Sequence, residues 1–158
     1  MKNGRPARAA IALATVFLLV LTACDPIIDT GVSYEAGYST LGLHTAASRS
    51  RLHAGETIHL RFSIDNWGKQ PVVIKTIDRP VMDLQVVEGV SDKLLLSWAA
   101  QHPDQISHYL EWQPGETKTI EMDWTATSAQ LYRDVFGEGL LNGDSSVLAG
   151  ASGFILVR

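Results

Sequence analysis

The chain has 158 residues, enough for one ordinary domain with an extension, and 46% of them are hydrophobic. Its 13 basic and 17 acidic residues give a formal net charge of −4 at pH 7. Beyond the first eight residues the basic side chains form no cluster. The charge pattern therefore argues against a nucleic-acid-binding surface and against a protein surface that attracts anionic lipid headgroups.

The N-terminal segment has the pattern of a secretory signal peptide that ends at a cysteine. An apolar run over residues 9–21 follows a basic stretch and precedes small residues. The four residues 21–24 resemble the lipobox of bacterial lipoproteins, which implies cleavage between Ala23 and Cys24 and diacylation of the Cys24 thiol. The basic residues of the leader are Lys2, Arg5 and Arg8.

An uncleaved membrane anchor is the alternative interpretation of this segment. An apolar helix of about 13 residues would span about 20 Å, whereas the hydrocarbon core of a bilayer is about 30 Å thick. We therefore expect attachment to the cell membrane through lipid on Cys24, with the domain facing outside the cytoplasm. Cys24 is the only cysteine, so the mature chain has no internal disulfide. Without the leader the chain carries ten basic and 17 acidic residues, a formal charge of −7.

The sequence divides into three parts: a signal peptide at 1–23, a lipidated tether at 24–39 and one domain at 40–158. The stretch 25–39 shows no sustained hydrophobic period, as expected for a tether. From Thr57 to Asp65 every second residue is apolar, which predicts a strand with one buried face. The inward residues of this strand are Ile58, Leu60, Phe62 and Ile64.

Further strand and turn signals follow along the domain. Residues 66–71 have loop composition, and strands are predicted at 72–77, 82–86, 94–98, 117–124 and 153–157. Continuous apolarity over 94–98 predicts a central strand or a strand beneath a loop. The sequence of residues 113–116 predicts a type II turn, and residues 53–56 use similar turn chemistry before the earlier strand.

Helical signals are sparse. Residues 96–101 could form one or two helical turns, and so could residues 128–135 with Ser128 as the cap. Short strands separated by turns predict an all-β chain, an immunoglobulin-like antiparallel β-sandwich of about seven strands. The cysteine pair of true immunoglobulin domains is absent, so the core must depend on apolar burial.

An ordered set of motifs runs through the first two thirds of the domain. The motifs are Leu60–Asn66 with Lys69–Val72, Met82–Val86, Ser97-Trp98, Leu110 with Pro114-Gly115-Glu116, and Trp124. Together they resemble the BsuPI-type domain, a family named for a bacterial intracellular proteinase inhibitor, and the resemblance is clearest over residues 50–125. The resemblance implies an immunoglobulin-like β-sandwich and, as one expectation, proteinase inhibition.

Signals for catalysis or metal binding are weak. An acylated Cys24 cannot act as a nucleophile, and residues 150–153 are one residue short of a Gly-x-Ser-x-Gly elbow. Glu121 and Asp123 lie two apart on the solvent face of a strand, as in any acidic sandwich. The five histidines form no close pairs, and Met82 and Met122 fit core positions. We predict no catalytic residues, no metal site and no cofactor.

The tryptophans suggest where a partner could bind. Trp98 and Trp124 end apolar patterns, so we expect them in the core. Trp67 and Trp112 lie in or beside polar loops, and an exposed tryptophan often marks a contact surface. We therefore predict a contact surface at Trp67 and Trp112, including the segment 100–112. The alternative is that each packs over a neighbouring strand end.

Three functional hypotheses follow from the sequence. The first is a lipid-anchored, non-catalytic module of the cell envelope that binds a protein or has a structural role. The second is a proteinase inhibitor of the BsuPI type, which the resemblance alone supports. The third is a hydrolase whose polar cluster would be visible only in three dimensions.

Overall fold

The computed structural model describes residues 40–144 and 146–158, which form ten strands. Ala23, Cys24 and the predicted tether lie outside the described residues, so lipidation remains a prediction. The strands are β1 Leu41–Ala47, β2 Arg51–Leu52, β3 Thr57–Asn66, β4 Val72–Lys75, β5 Met82–Glu88, β6 Lys93–Ser97, β7 Tyr109–Trp112, β8 Thr117–Thr125, β9 Asp134–Asn142 and β10 Val147–Val157.

Helices are short in the described part of the chain. The α-helix α1 spans Trp98–Gln101, and single 3-10 turns span Pro103–Gln105 and Ser128–Gln130. In the latter turn Thr127 is the cap and forms a capping box with Gln130, so the prediction that Ser128 caps a helix there was wrong by one residue. No helix among the described residues is long and apolar enough to cross a membrane.

The strands form an immunoglobulin-like β-sandwich, which confirms the predicted fold class. One sheet has the order β1-β3-β8 and the other has the order β2-β10-β9-β5-β6, while β4 and β7 form a separate pair. All pairings are antiparallel except the short parallel contact between β2 and β10. The core lies between the inner faces of the two larger sheets.

Strand β3 follows its predicted alternation. Every second side chain of β3 is buried. The side chains between them lie on the solvent face, opposite side chains of β8. Trp98 and Trp124 each retain 7% exposure, which confirms that both belong to the core. The buried side chains of β3 are Ile58, Leu60, Phe62 and Ile64.

Strand β6 differs from its predicted place in the fold. It lies at the edge of the five-stranded sheet beyond β5, and Leu94 is 51% exposed. Its apolar run therefore does not mark a central strand. The strand ends where Ser97 caps α1 through a hydrogen bond from the Ala100 N–H to its hydroxyl, and Trp98 then turns into the core as the first helical residue.

Four strands lacked a recognised sequence signal: β1, β2, β7 and β9. In β1, Thr45 occupies an inward position, where its hydroxyl donates to the Ala151 carbonyl at 2.8 Å. Strand β9 lies between β5 and β10, although the sequence predicted helical turns up to Val135. Its inward positions include Gly137 and Gly139, which face Leu60 and Phe62 across the core. Glycine hides the alternation of apolar residues that identifies a strand.

The two predicted turns, at residues 53–56 and 113–116, have the same backbone conformation and the same hydrogen bond. Gly55 and Gly115 both have positive φ, at 90° and 75°, as the third residue of a type II turn requires. The glutamate that follows each glycine accepts a hydrogen bond from the backbone N–H of the first turn residue. These distances are 2.8 Å from His53 N to Glu56 Oε2 and 2.7 Å from Gln113 N to Glu116 Oε2.

Both turn glutamates should make the fold sensitive to acid. The His53 backbone N–H lowers the pKa of Glu56, and the Lys118 ammonium followed by the Gln113 N–H lowers the pKa of Glu116, each from an ordinary value of 4.5. A carboxyl whose folded pKa is depressed contributes stability above its unfolded pKa. That contribution is lost as the pH falls through the folded pKa.

We therefore expect the unfolding free energy to decline below about pH 4.5, and the decline to be shallower in Glu116→Gln. Urea unfolding between pH 7 and pH 2.5 measures this dependence. Asp78→Asn is the matched control, because Asp78 is exposed and has no hydrogen-bond or ion-pair partner among the described residues. Equal acid slopes for Glu116→Gln and the parent chain would contradict the expectation.

Candidate functional site

The free edge of β8 is the clearest candidate site. This strand pairs with β3 on one side and with no second strand in residues 40–144 and 146–158. Hydrogen bonds from Asn66 N to Glu116 O and from Ala126 N to Glu56 O, both 3.0 Å, show that even-numbered residues of this stretch bond to β3. The backbone N–H and C=O groups of Thr119, Glu121 and Asp123 therefore point away from β3.

The segment from Trp98 to Ser107 faces this edge and forms the second wall of a groove. The groove consists of three adjoining cavities of about 190, 380 and 560 Å³. They adjoin because they share lining residues from both walls. The shared residues are Trp98, His102, Gln105, Thr119, Ile120 and Glu121.

One end of the groove is apolar. Met82, Trp98, Leu110 and Ile120 line the cavity of about 190 Å³ together with four polar residues, and most of the exposed lining is apolar. Pockets for drug-sized ligands usually measure about 300–1,000 Å³, so this cavity suits a single side chain better than an organic cofactor. The apolar end therefore resembles a specificity pocket beside an open strand edge.

The other end of the groove is polar. His59 lies between two carboxylates, with Nδ1 2.8 Å from Asp123 Oδ1 and Nε2 3.6 Å from Glu121 Oε2. The Arg61 Nε donates to Glu121 Oε1 at 2.5 Å. Within the described residues no group of three His, Cys, Asp or Glu side chains could hold a metal ion. Glu121 and Asp123 are thus partners in cross-strand pairs of the sheet surface.

A buried carboxylate fixes the wall formed by α1. Asp83 is 4% exposed, and its oxygens accept hydrogen bonds from the Ser97 hydroxyl, the Ala99 N–H and the Gln85 amide at 2.8–3.1 Å. The ring of Trp98 then stacks on His102 with centroids 4.9 Å apart. Because these contacts tie α1 to β5, the groove wall is preformed.

The two predicted contact tryptophans lie in different environments. Trp67 is 60% exposed in the loop after β3, so it remains available for contact. Trp112 is fully buried, and its indole N–H donates to the Ile64 carbonyl at 3.1 Å. The prediction of Trp112 as a surface residue was therefore wrong. The pairing of β7 with β4 places its side chain over the end of β3, which the sequence alone does not show.

Asn66 organises the loop that carries Trp67. Its buried side chain donates to the carbonyls of Gln70 and Trp112 at 2.8 and 3.1 Å, and its oxygen accepts from the Thr40 hydroxyl and the Gly68 N–H at 2.9 and 3.0 Å. Every hydrogen-bonding position of the amide is used in this arrangement. These four hydrogen bonds therefore hold the loop in one conformation at this end of the sandwich, and we call them the Asn66 frame.

Two further loops are exposed at the opposite end of the sandwich from Trp67. Val90 and Tyr132 are 80% and 86% exposed, and Tyr132 has a positive φ of 60°. The Gly89 N–H donates to the Asp134 carbonyl at 2.8 Å, and Arg133 lies 3.3 Å from Glu88, so the two loops are joined. Apolar side chains are thus held in solvent at both ends of the domain.

Comparison with known proteins identifies no family. No protein-family model matches the chain, and no curated protein matches it. Among solved structures, sporulation control protein Spo0M from Bacillus subtilis is 15% identical over 75% of this chain and 49% of its own, with a TM-score of 0.49. The CARDB domain of a Pyrococcus furiosus protein, in complex with di-metal ions, is 14% identical over 74% and 91%, with a TM-score of 0.47.

A cycloisomaltooligosaccharide glucanotransferase from Paenibacillus sp. is 12% identical over 72% of this chain and 13% of its own, with a TM-score of 0.47. The chain thus spans about an eighth of that enzyme and about half of Spo0M. Likenesses of this size carry no argument about function. The function must be inferred from the residues of this chain.

Proposed function

We propose that the chain is a lipid-anchored, non-catalytic protein of the cell envelope whose β-sandwich binds an extended segment of a protein partner in the groove beside β8. The observation that carries the proposal is the free edge of β8, which faces a preformed groove with an apolar pocket. Backbone groups of an open edge supply affinity for an extended chain, and pockets for alternate side chains supply specificity.

The anchoring part of the proposal depends on the sequence. The leader and the resemblance of residues 21–24 to a lipobox support lipid on Cys24. The segment 100–112, which the sequence indicated as a contact surface, contributes His102, Gln105 and Leu110 to the groove. Sequence pattern and groove geometry therefore favour the same side of the domain.

Replacing Thr119 with proline tests the groove directly. The Thr119 N–H points away from β3, so proline removes a donor from the free edge without removing a bond of the ladder. With a photo-crosslinking residue in place of Gln105, in cells that produce the full chain, we expect a protein adduct. Thr119→Pro should reduce this adduct about tenfold, which corresponds to the loss of about 1.4 kcal/mol.

Two controls separate binding from folding. Thr119→Ala keeps the backbone N–H and should keep the adduct, and the same crosslinker at the exposed Ser152, on the other sheet, should not form it. Thermal unfolding should show that Thr119→Pro remains folded. The proposal fails if no adduct forms at Gln105, or if a folded Thr119→Pro variant forms it as well as the parent chain does.

Proteinase inhibition is the alternative function, and the resemblance to the BsuPI type is its support. A substrate-like inhibitor needs an exposed and rigid loop that enters the cleft of the proteinase. The same crosslinking experiment addresses it through the identity of the partner. A captured proteinase whose activity falls when the purified chain is added would favour the alternative.

A further inference from the structure

We propose that Trp67 rests in the headgroup region of the membrane that holds the lipid anchor, so that this end of the domain faces the bilayer. The inference goes beyond partner binding and rests on the lipid attachment proposed for Cys24. It names one occupant for this surface, a phospholipid bilayer. The first described residue, Thr40, and the exposed Trp67 together carry the argument.

Thr40, where the described part of the chain begins, is hydrogen-bonded to the loop that carries Trp67. The Trp67 N–H donates to the Thr40 carbonyl at 3.1 Å, and the Thr40 hydroxyl donates to the Asn66 side chain at 2.9 Å. A Cβ added at Gly68 would lie 2.5 Å from Thr40 Oγ1, so the loop and the junction are closely packed. Thr40, the described residue nearest to Cys24 in the sequence, is therefore fixed beside the Trp67 backbone.

The length of chain outside the structure limits the distance to the membrane. Fifteen residues lie between Cys24 and Thr40, and this stretch, fully extended, spans at most about 55 Å from one Cα to the other. A short linker keeps a tethered group at an effective concentration of the order of millimolar. A weak contact is then occupied, although the same contact would be negligible for a free protein.

The exposed groups at this end suit a bilayer interface. Tryptophan has an apolar body with one polar N–H and is enriched where membranes meet water. Trp67 is 60% exposed because the Asn66 frame holds the loop away from the core. Neighbouring Lys69 is exposed and has no partner among the described residues. The Val90 and Tyr132 loops lie at the opposite end of the sandwich and would face away from the bilayer.

Fluorescence quenching tests this orientation, because Trp67 is the only strongly exposed member of four tryptophans. The full chain, purified from membranes with its lipid, would be reconstituted into phosphatidylcholine vesicles with or without brominated acyl chains. We expect brominated lipid to reduce the tryptophan emission of the parent chain. Trp67→Phe should abolish this reduction, because the other three tryptophans are 0–7% exposed.

A matched variant moves the probe to the other end of the domain. Trp67→Phe combined with Tyr132→Trp places the exposed indole far from the tether and should show no quenching. Vesicle flotation and the mass of the N-terminal peptide are measured on the same samples. A floating, lipidated chain whose Trp67 is not quenched overturns this inference alone, and so does equal quenching at position 132. A chain that does not float, or whose Cys24 is unmodified, overturns the anchor and the inference together.

Discussion

Replacing Asn66 with alanine should reduce the free energy of unfolding by about 3 to 5 kcal/mol, a large fraction of the stability of an ordinary domain. Asn66 is fully buried, and its amide makes four hydrogen bonds. Alanine would remove the side-chain donor of the Gln70 carbonyl, one donor of the Trp112 carbonyl and the acceptor of the Gly68 N–H. Each buried polar group without a partner costs about 1–3 kcal/mol.

Urea unfolding measured by circular dichroism gives this free energy. Lys69→Ala is the control, because it removes an exposed side chain from the same loop and should change stability by less than about 0.5 kcal/mol. Asn66→Asp keeps the acceptor but loses both donated bonds, so its cost should approach that of alanine. A loss below about 1 kcal/mol for Asn66→Ala would show that the loop does not depend on this amide.

Replacing Gly139 with alanine should destabilise the domain by about 2 to 3 kcal/mol through overpacking. A Cβ at this position would lie 2.0 Å from Cδ2 of Phe62, closer than two carbon atoms can approach. Gly137→Ala is a matched control on the same strand. Its Cβ would lie 3.2 Å from Cδ2 of Leu60, the end of a flexible side chain, so its cost should stay under about 1 kcal/mol.

A double-mutant cycle assigns the cost to the contact itself. Phe62→Ala alone should cost about 3–5 kcal/mol, because it empties a fully buried site. In the double variant the new methyl group at position 139 occupies part of that space, so the combined cost should fall short of the sum by at least about 1 kcal/mol. Additive costs would show that Gly139 is constrained by something other than the ring.

The match between sequence and fold depends on how local each signal is. Strand β3 was predicted because alternation over nine residues indicates a single buried face, and the turn at Pro114-Gly115 was predicted because positive φ needs glycine. Strand β9 was not predicted because Gly137 and Gly139, instead of apolar side chains, occupy its inward positions opposite Leu60 and Phe62. The chemical reason for those glycines lies on the other sheet.

In the candidate site, too, the sequence predicted the features that depend on local composition and missed those that depend on long-range contacts. The sequence indicated the segment 100–112 and the exposure of Trp67, since polar loop composition is a local property. It placed Trp112 at the surface because Gln113-Pro114 follows it, whereas the pairing of β7 with β4 buries the ring. The groove itself joins β8 to a segment 11 to 25 residues earlier. No local pattern encodes a contact of that kind.

The sequence by itself determined the all-β class, the two glycine turns and the buried face of β3, because each follows from spacing within a few residues. It also supplied the lipidation prediction at Cys24, which remains to be measured. Only the tertiary structure decided that β8 has an open edge among the described strands, that Trp112 is core while Trp67 is not, and that Thr40 is held beside Trp67. These features depend on which strands pair across the sheets, and long-range packing selects that pairing.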